Sequence, residues 1–253
     1  MAVLLACCTA APLLSWCQAR PLTLGEIVSR MTRAQAESRD RDLAYSITRE
    51  YQLSAQGAAS PSSQVVAEIN FVPPSAKDYS IVKSEGSDRG KSIVRKVLEH
   101  ESQMASHSEE HAVTARNYDF ALLGRETVNG RDCYVLQLSP RREAVDLIRG
   151  KAWVDANNFA LRRMEGSPVK SPSMWIKNLT VTIDYENVNG IWVATATKAV
   201  ADLRFVGKHM LTSRELEVRT ATVSARNRPP GRVPSRSNAQ RAASRAATWI
   251  APE

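Results

Sequence analysis

Leu122-Leu123-Gly124-Arg125-Glu126-Thr127-Val128-Asn129-Gly130-Arg131-Asp132-Cys133-Tyr134-Val135-Leu136-Gln137-Leu138 is the stretch that decides the fold. Asn129-Gly130 supplies the two consecutive positive-φ positions that a tight primed turn requires, so the chain is expected to reverse there into a β-hairpin. Leu122 and Val128 lead into the turn, and Tyr134, Leu136 and Leu138 alternate out of it. That period of two predicts strands with one buried face. The same grammar recurs downstream. Val181, Ile183 and Tyr185 run into Asn189-Gly190, and Ile191, Trp192 and Val193 follow. Residues 152–154 are expected to pair with 160–164 across Asp155-Ala156-Asn157-Asn158, and Leu203 with Phe205, then Leu216 with Val218, read as the last two strands.

Upstream, residues 43–53 place Leu43, Tyr45, Ile47, Tyr51 and Leu53 on one face and Ala44, Ser46, Thr48, Glu50 and Gln52 on the other. Residues 64–71 align Val65, Ala67, Ile69 and Phe71, and Pro73-Pro74 stops that strand. A third strand is expected near residues 78–83. Two segments switch to helical spacing. In residues 23 to about 38, Thr23 and Glu26 form a capping box, and Leu24, Ile27, Val28 and Met31 form a stripe. Residues 91 to about 104 carry Ile93, Val94 and Val97, a weak stripe suited to covering a surface. About ten alternating strands with two helices predict an α+β fold: a curved antiparallel β half-barrel with helices covering the concave face.

The chain has 253 residues and a formal net charge of +8. Residues 1–19 read as a signal peptide, mostly apolar and small, with Cys17-Gln18-Ala19 as the small-x-small end. No Lys or Arg precedes the apolar run. Thr9, Pro12, Ser15 and Gln18 interrupt it, against a membrane span. Leu4-Leu5-Ala6-Cys7 also resembles a lipobox, which would anchor the protein to the outer membrane through Cys7. Residues 226–253 hold six arginines against one acid, Glu253, and so carry +5 of the net charge; the segment is expected to be a disordered basic tail. Residues 20–225 are left as one nearly charge-balanced domain, an argument against a nucleic-acid-binding fold. Three of the four cysteines, Cys7, Cys8 and Cys17, lie in the leader, so Cys133 has no disulfide partner and reads as a buried small side chain.

The strand faces outline a candidate ligand-binding cavity of Tyr45, Ile47, Arg49, Tyr51, Val65, Ile69 and Phe71. Arg49 is the odd member, a cation at an apolar-face position. There it would bond helix carbonyls and hold a lid, or meet an acidic headgroup; alternatively a bulge turns it outward, or a nearby acid pairs it. His107-Ser108-Glu109-Glu110-His111 has the His-x-x-Glu-His spacing of a zinc protease, but strands follow where a third ligand helix would be needed, and the segment is as polar as a surface loop. No Gly-rich phosphate loop and no Gly-x-Ser-x-Gly elbow appears. No catalytic residue, metal or cofactor is expected.

The quoted run, extended to Ser139-Pro140, together with Lys151-Ala152-Trp153-Val154-Asp155 and Leu161-Arg162-Arg163-Met164-Glu165-Gly166, resembles the LolA-like superfamily of outer-membrane lipoprotein-sorting proteins and RseB-type periplasmic domains. The resemblance spans roughly residues 24–223. It implies an unclosed half-barrel with a helical lid over an apolar cavity, in a periplasmic, non-catalytic, single-domain monomer that carries acyl chains of lipids or lipoproteins. It also implies an alternative, an RseB-like sensor that binds a membrane-anchored partner protein. One departure stands out. The sorting carriers end an early strand with a basic-Arg-Pro element whose Arg latches the lid, and here that stretch is Phe71-Val72-Pro73-Pro74.

Overall fold

The computed structural model describes residues 20–40, 43–205 and 207–220. The expected leader at 1–19 and basic tail at 226–253 lie outside the described residues. In chain order the elements are α1 (Leu24–Asp40), β1 (Tyr45–Ala55), β2 (Ser63–Val72), β3 (Ala76–Gly86), α2 (Asp88–Ala105), α3 (Ser108–His111), β4 (Tyr118–Val128), β5 (Arg131–Pro140), β6 (Ile148–Asp155), β7 (Leu161–Pro168), β8 (Ile176–Val188), β9 (Ile191–Leu203) and β10 (Gly207–Thr220). The strands form one antiparallel sheet in the order β3-β2-β1-β10-β9-β8-β7-β6-β5-β4, so β3 and β4 are its edges and the barrel is not closed. Among the described residues the one pairing in that order between strands not consecutive in the chain is β1 against β10, with Ile47 opposite Val218. No helix among the described residues is long and apolar enough to cross a membrane.

The Asn-Gly turns form as the sequence dictates. Asn129 and Gly130 have φ of 48° and 73°, and Asn189 and Gly190 have 54° and 87°. The β6–β7 turn is held by Asp155, whose Oδ1 accepts from the Asn157 and Asn158 amides at 2.9 and 3.3 Å while Oδ2 accepts from Arg162 Nε at 3.0 Å. One expected strand is corrected. Leu203 ends β9, but Phe205 lies in the β9–β10 turn at φ 72°, so a single long strand, β10, follows it.

The capping box of α1 is present: Thr23 N donates to Glu26 Oε2 at 2.7 Å, and Glu26 N donates to Thr23 Oγ1 at 3.3 Å. Ile27 and Met31 of α1 are fully buried in the larger core, with Tyr118, Leu136, Leu138, Leu147 and Val154 among their neighbours. Tyr118 Oη accepts the Ile148 amide proton at 3.1 Å, so even this buried phenol is satisfied. On α2, Val94 and Leu98 are the buried apolar pair. The stripe read from the sequence stopped at Val97 and left out Leu98, which stands four residues after Val94 and completes the face. Ser87 caps this helix, its Oγ accepting from Gly90 N at 3.2 Å. Cys133 is fully buried beside Val128, Val135 and Trp153, on the sheet face away from α1.

Gly150 and Gly166 sit opposite each other on β6 and β7. A Cβ on Gly150 would lie 1.9 Å from the Glu165 carbonyl oxygen, and one on Gly166 would lie 2.2 Å from that of Arg149. The strands approach too closely here for any side chain. Gly150→Ala should therefore destabilise the fold by about 1–3 kcal/mol, read as a lower midpoint in urea unfolding; an unchanged midpoint would mean that the strands part without cost.

Candidate functional site

Tyr45, Ile47, Arg49 and Tyr51 of β1 stand opposite Phe71, Ile69, Ala67 and Val65 of β2 in unbroken register, so all seven expected cavity residues share one face of the sheet. The structure divides them by packing. Tyr51, Val65 and Ile69 join Ala67 and the α2 residues Val94 and Leu98 in one buried cluster. Ile47 joins Ile191, Val193 and Val218, with Tyr45 and Val188 packed alongside. Tyr45 and Phe71 stack with ring centroids 5.0 Å apart. This apolar floor therefore runs from β2 through β1 and β10 to β9, and α2 lies on part of it.

Arg49 sits in the middle of that floor and is 5% exposed. The β1–β10 register shifts between Thr48 and Arg49, yet the bulge does not turn the side chain outward. Its Nη1 donates to Glu101 Oε2 on α2 at 3.3 Å, and its Nη2 donates to the Ala194 carbonyl on β9 at 2.8 Å. Lys77 Nζ on β3 reaches the same Glu101 oxygen at 3.3 Å. One arginine thus ties the sheet to the covering helix. Of the readings the sequence left open, pairing with an acid is the one realised, and that acid belongs to the helix.

The joint is incompletely satisfied. Arg49 Nε, Tyr51 Oη and Glu215 Oε2 are buried without a hydrogen-bond partner. Glu215 faces Arg49 across the bulge. Burial opposes the charge on Arg49, but Glu101 more than restores it and holds the pKa above the ordinary arginine value. Burial, and then the Glu101 carboxylate, push the Tyr51 phenol up. Burial likewise raises Glu215, with Arg49 pulling the other way. Nothing in the local sequence marks Glu101, Lys77 or Glu215: each is one charge among many on an element with a solvated side. The Ala194 carbonyl has no sequence signal at all.

The expected His-x-x-Glu-His segment becomes the four-residue α3. His107 Nδ1 contacts Ser106 Oγ at 2.9 Å, and burial lowers the pKa of His111. Among the described residues no group of three His, Cys, Asp or Glu could hold a metal.

Away from the Cys133 cluster, the other face of the sheet is polar. Glu50 accepts from Gln64 and, at 2.6 Å, from Arg214 Nε; further along, Arg163 Nε donates to Asp184 Oδ1 at 2.6 Å. Two shallow depressions of about 330 and 370 Å³ lie here, sharing Thr212 and Ser213 in their lining. Burial alone would raise the Glu50 pKa, but Arg214 and Gln64 outweigh it and hold the carboxyl below its ordinary value of 4.5. A depressed folded-state pKa contributes stability that is present above the unfolded value and lost as pH falls through the folded one. Glu50→Gln should therefore lower stability at neutral pH and flatten the loss of stability below about pH 4.5, measured as urea midpoints across pH. An unchanged acid limb would show that Glu50 is not a source of it.

An unclosed antiparallel sheet whose one apolar face is covered by helices defines the class, an α+β half-barrel. A family model described as an "Uncharacterized protein"-like family matches residues 77–222, and the chain belongs to that family. Three solved structures are similar to it. A lipoprotein-sorting protein domain from Vibrio parahaemolyticus is 15% identical, with 78% of this chain and 92% of that one covered and a TM-score of 0.42. A DUF1329 family protein from Desulfovibrio piger is 14% identical, covered to 78% and 92%, at 0.41. A LolA superfamily protein from Nitrosomonas europaea is 13% identical, covered to 83% and 96%, at 0.37. No curated protein matches the chain.

Proposed function

We propose that this protein is an exported, non-catalytic carrier that shelters acyl chains of lipids or lipoproteins on the apolar face beneath α2, for transport to or within the outer envelope. Tyr45, Ile47, Arg49, Tyr51, Val65, Ile69 and Phe71 are its ligand-contacting residues, and α2 is the lid. The observation that carries this reading is the Arg49–Glu101 contact, a charged joint between lid and floor set beside the apolar cluster under α2.

The magnitudes fit a lid that opens for cargo. Lifting α2 exposes Val94 and Leu98, at about 1.5–3 kcal/mol each. A buried charge pair offsets its own desolvation poorly, so breaking it in favour of solvent adds little, provided both partners become hydrated. An acyl chain regains about 0.8 kcal/mol per methylene, so about four to eight buried methylenes offset the opening. The unpartnered Arg49 Nε and Tyr51 hydroxyl give the polar end of such a ligand something to bond. The leader expected at residues 1–19 supports export to the periplasm, and the domain spans residues 20–225 in this reading.

The mature protein, purified under native conditions and examined by native mass spectrometry with lipid extraction, should carry lipid or acylated protein. Ile47→Gln and Ile69→Gln, in variants that still unfold cooperatively, should lose it. An empty protein that also takes up no fluorescent fatty acid would overturn the carrier reading and favour a regulator that binds a membrane-anchored protein.

A further inference from the structure

The β9–β10 turn and the loop before β8 meet at one end of the sheet. Arg204 N donates to the Trp175 carbonyl at 2.9 Å, and the Trp175 and Phe205 rings lie 6.2 Å apart. Three large apolar side chains are exposed together here: Phe205 at 92%, Met174 at 73% and Trp175 at 40%. Phe205 also holds φ 72°, in the left-handed region that favours Gly or Asn and costs a bulky side chain. Folding thus gains nothing from a phenylalanine at this position, on either count: it buries almost none of the ring and strains the backbone.

The charge around the ring is one-sided. Residues 169–178 and 202–209 contain Lys170, Lys177, Arg204 and Lys208 against one acid, Asp202. Lys177, Arg204 and Lys208 are exposed and form no ion pair among the described residues. Exposed aromatic and thioether side chains at a strand turn, with unpaired cations beside them, match a bilayer interface, where rings sit at headgroup depth and Lys or Arg meet anionic headgroups. A protein pocket would instead call for a groove or an extended flat patch around these residues.

We infer that this tip docks the protein onto an anionic lipid bilayer, with Phe205, Trp175 and Met174 inserted among the headgroups and Lys177, Arg204 and Lys208 binding them. The inference stands apart from the cargo reading, since it uses neither α2 nor the Arg49 floor.

The test is sedimentation of the full chain with vesicles of phosphatidylglycerol and phosphatidylcholine, at low salt and at about 0.5 M salt, where the Debye length is only a few ångströms and charge attraction alone is largely screened. The wild type should stay bound at high salt, and Phe205→Ser with Met174→Ser should bind about tenfold or more weakly there. Lys177→Glu with Arg204→Glu should weaken binding chiefly at low salt. Phe205→Asn should weaken binding while holding or raising the thermal midpoint, because Asn accepts the positive φ. Equal binding by wild type and the Phe205 variants would overturn the inference and assign the attraction to charge elsewhere on the chain. Failure of the wild type to bind such vesicles would overturn it as well.

Discussion

An arginine at an inward position of an apolar strand must find acceptors, because an unpaired buried guanidinium is too costly to keep. Arg49 finds one on a neighbouring sheet region, the Ala194 carbonyl, and one on a helix, Glu101. Those two bonds fix which part of α2 faces the floor and where the helix stops along it. Val94 and Leu98 then cover Tyr51, Val65 and Ile69 on the same side of the joint. Beyond it the floor continues through Ile47, Val193 and Val218 with Arg49 as its boundary. The polar joint thus divides one apolar surface into a stretch packed under the helix and a stretch packed by the sheet alone.

Much of the fold was legible because its signals are local. Asn129-Gly130 and Asn189-Gly190 specify turns by φ, period-two alternation specifies which side of each strand is buried, and Thr23 with Glu26 announces α1 within four residues. What escaped was set by distant partners. The pairing of β1 with β10 joins residues more than 150 positions apart, and no local pattern encodes it. Arg49 was visible as an anomaly, but its partner Glu101 looked like any solvated helix acid until α2 was laid on the sheet. Phe205 was misread as strand because an apolar residue two positions after Leu203 satisfies the alternation, while its positive φ leaves no trace in the residue type.

The two faces and the tip divide the work. The helix-covered face is apolar with one charged joint. The opposite face is laced by Glu50–Arg214 and Arg163–Asp184, which satisfy side chains across neighbouring strands and keep that surface hydrated. The exposed aromatic tip belongs to neither face and projects from the end of the sheet, so a membrane contact there would leave both faces free.

The central claim is that Arg49 holds α2 on the floor and is not simply one more core residue. Native-state hydrogen exchange of Arg49→Leu against the wild type tests it most directly. Loss of a charge-assisted bond of about 1.5–3 kcal/mol should speed exchange along α2 by about 10- to 100-fold, while β5, β6 and β7 keep their protection. Unchanged protection of α2, or an equal loss across helix and strands alike, would contradict a latch.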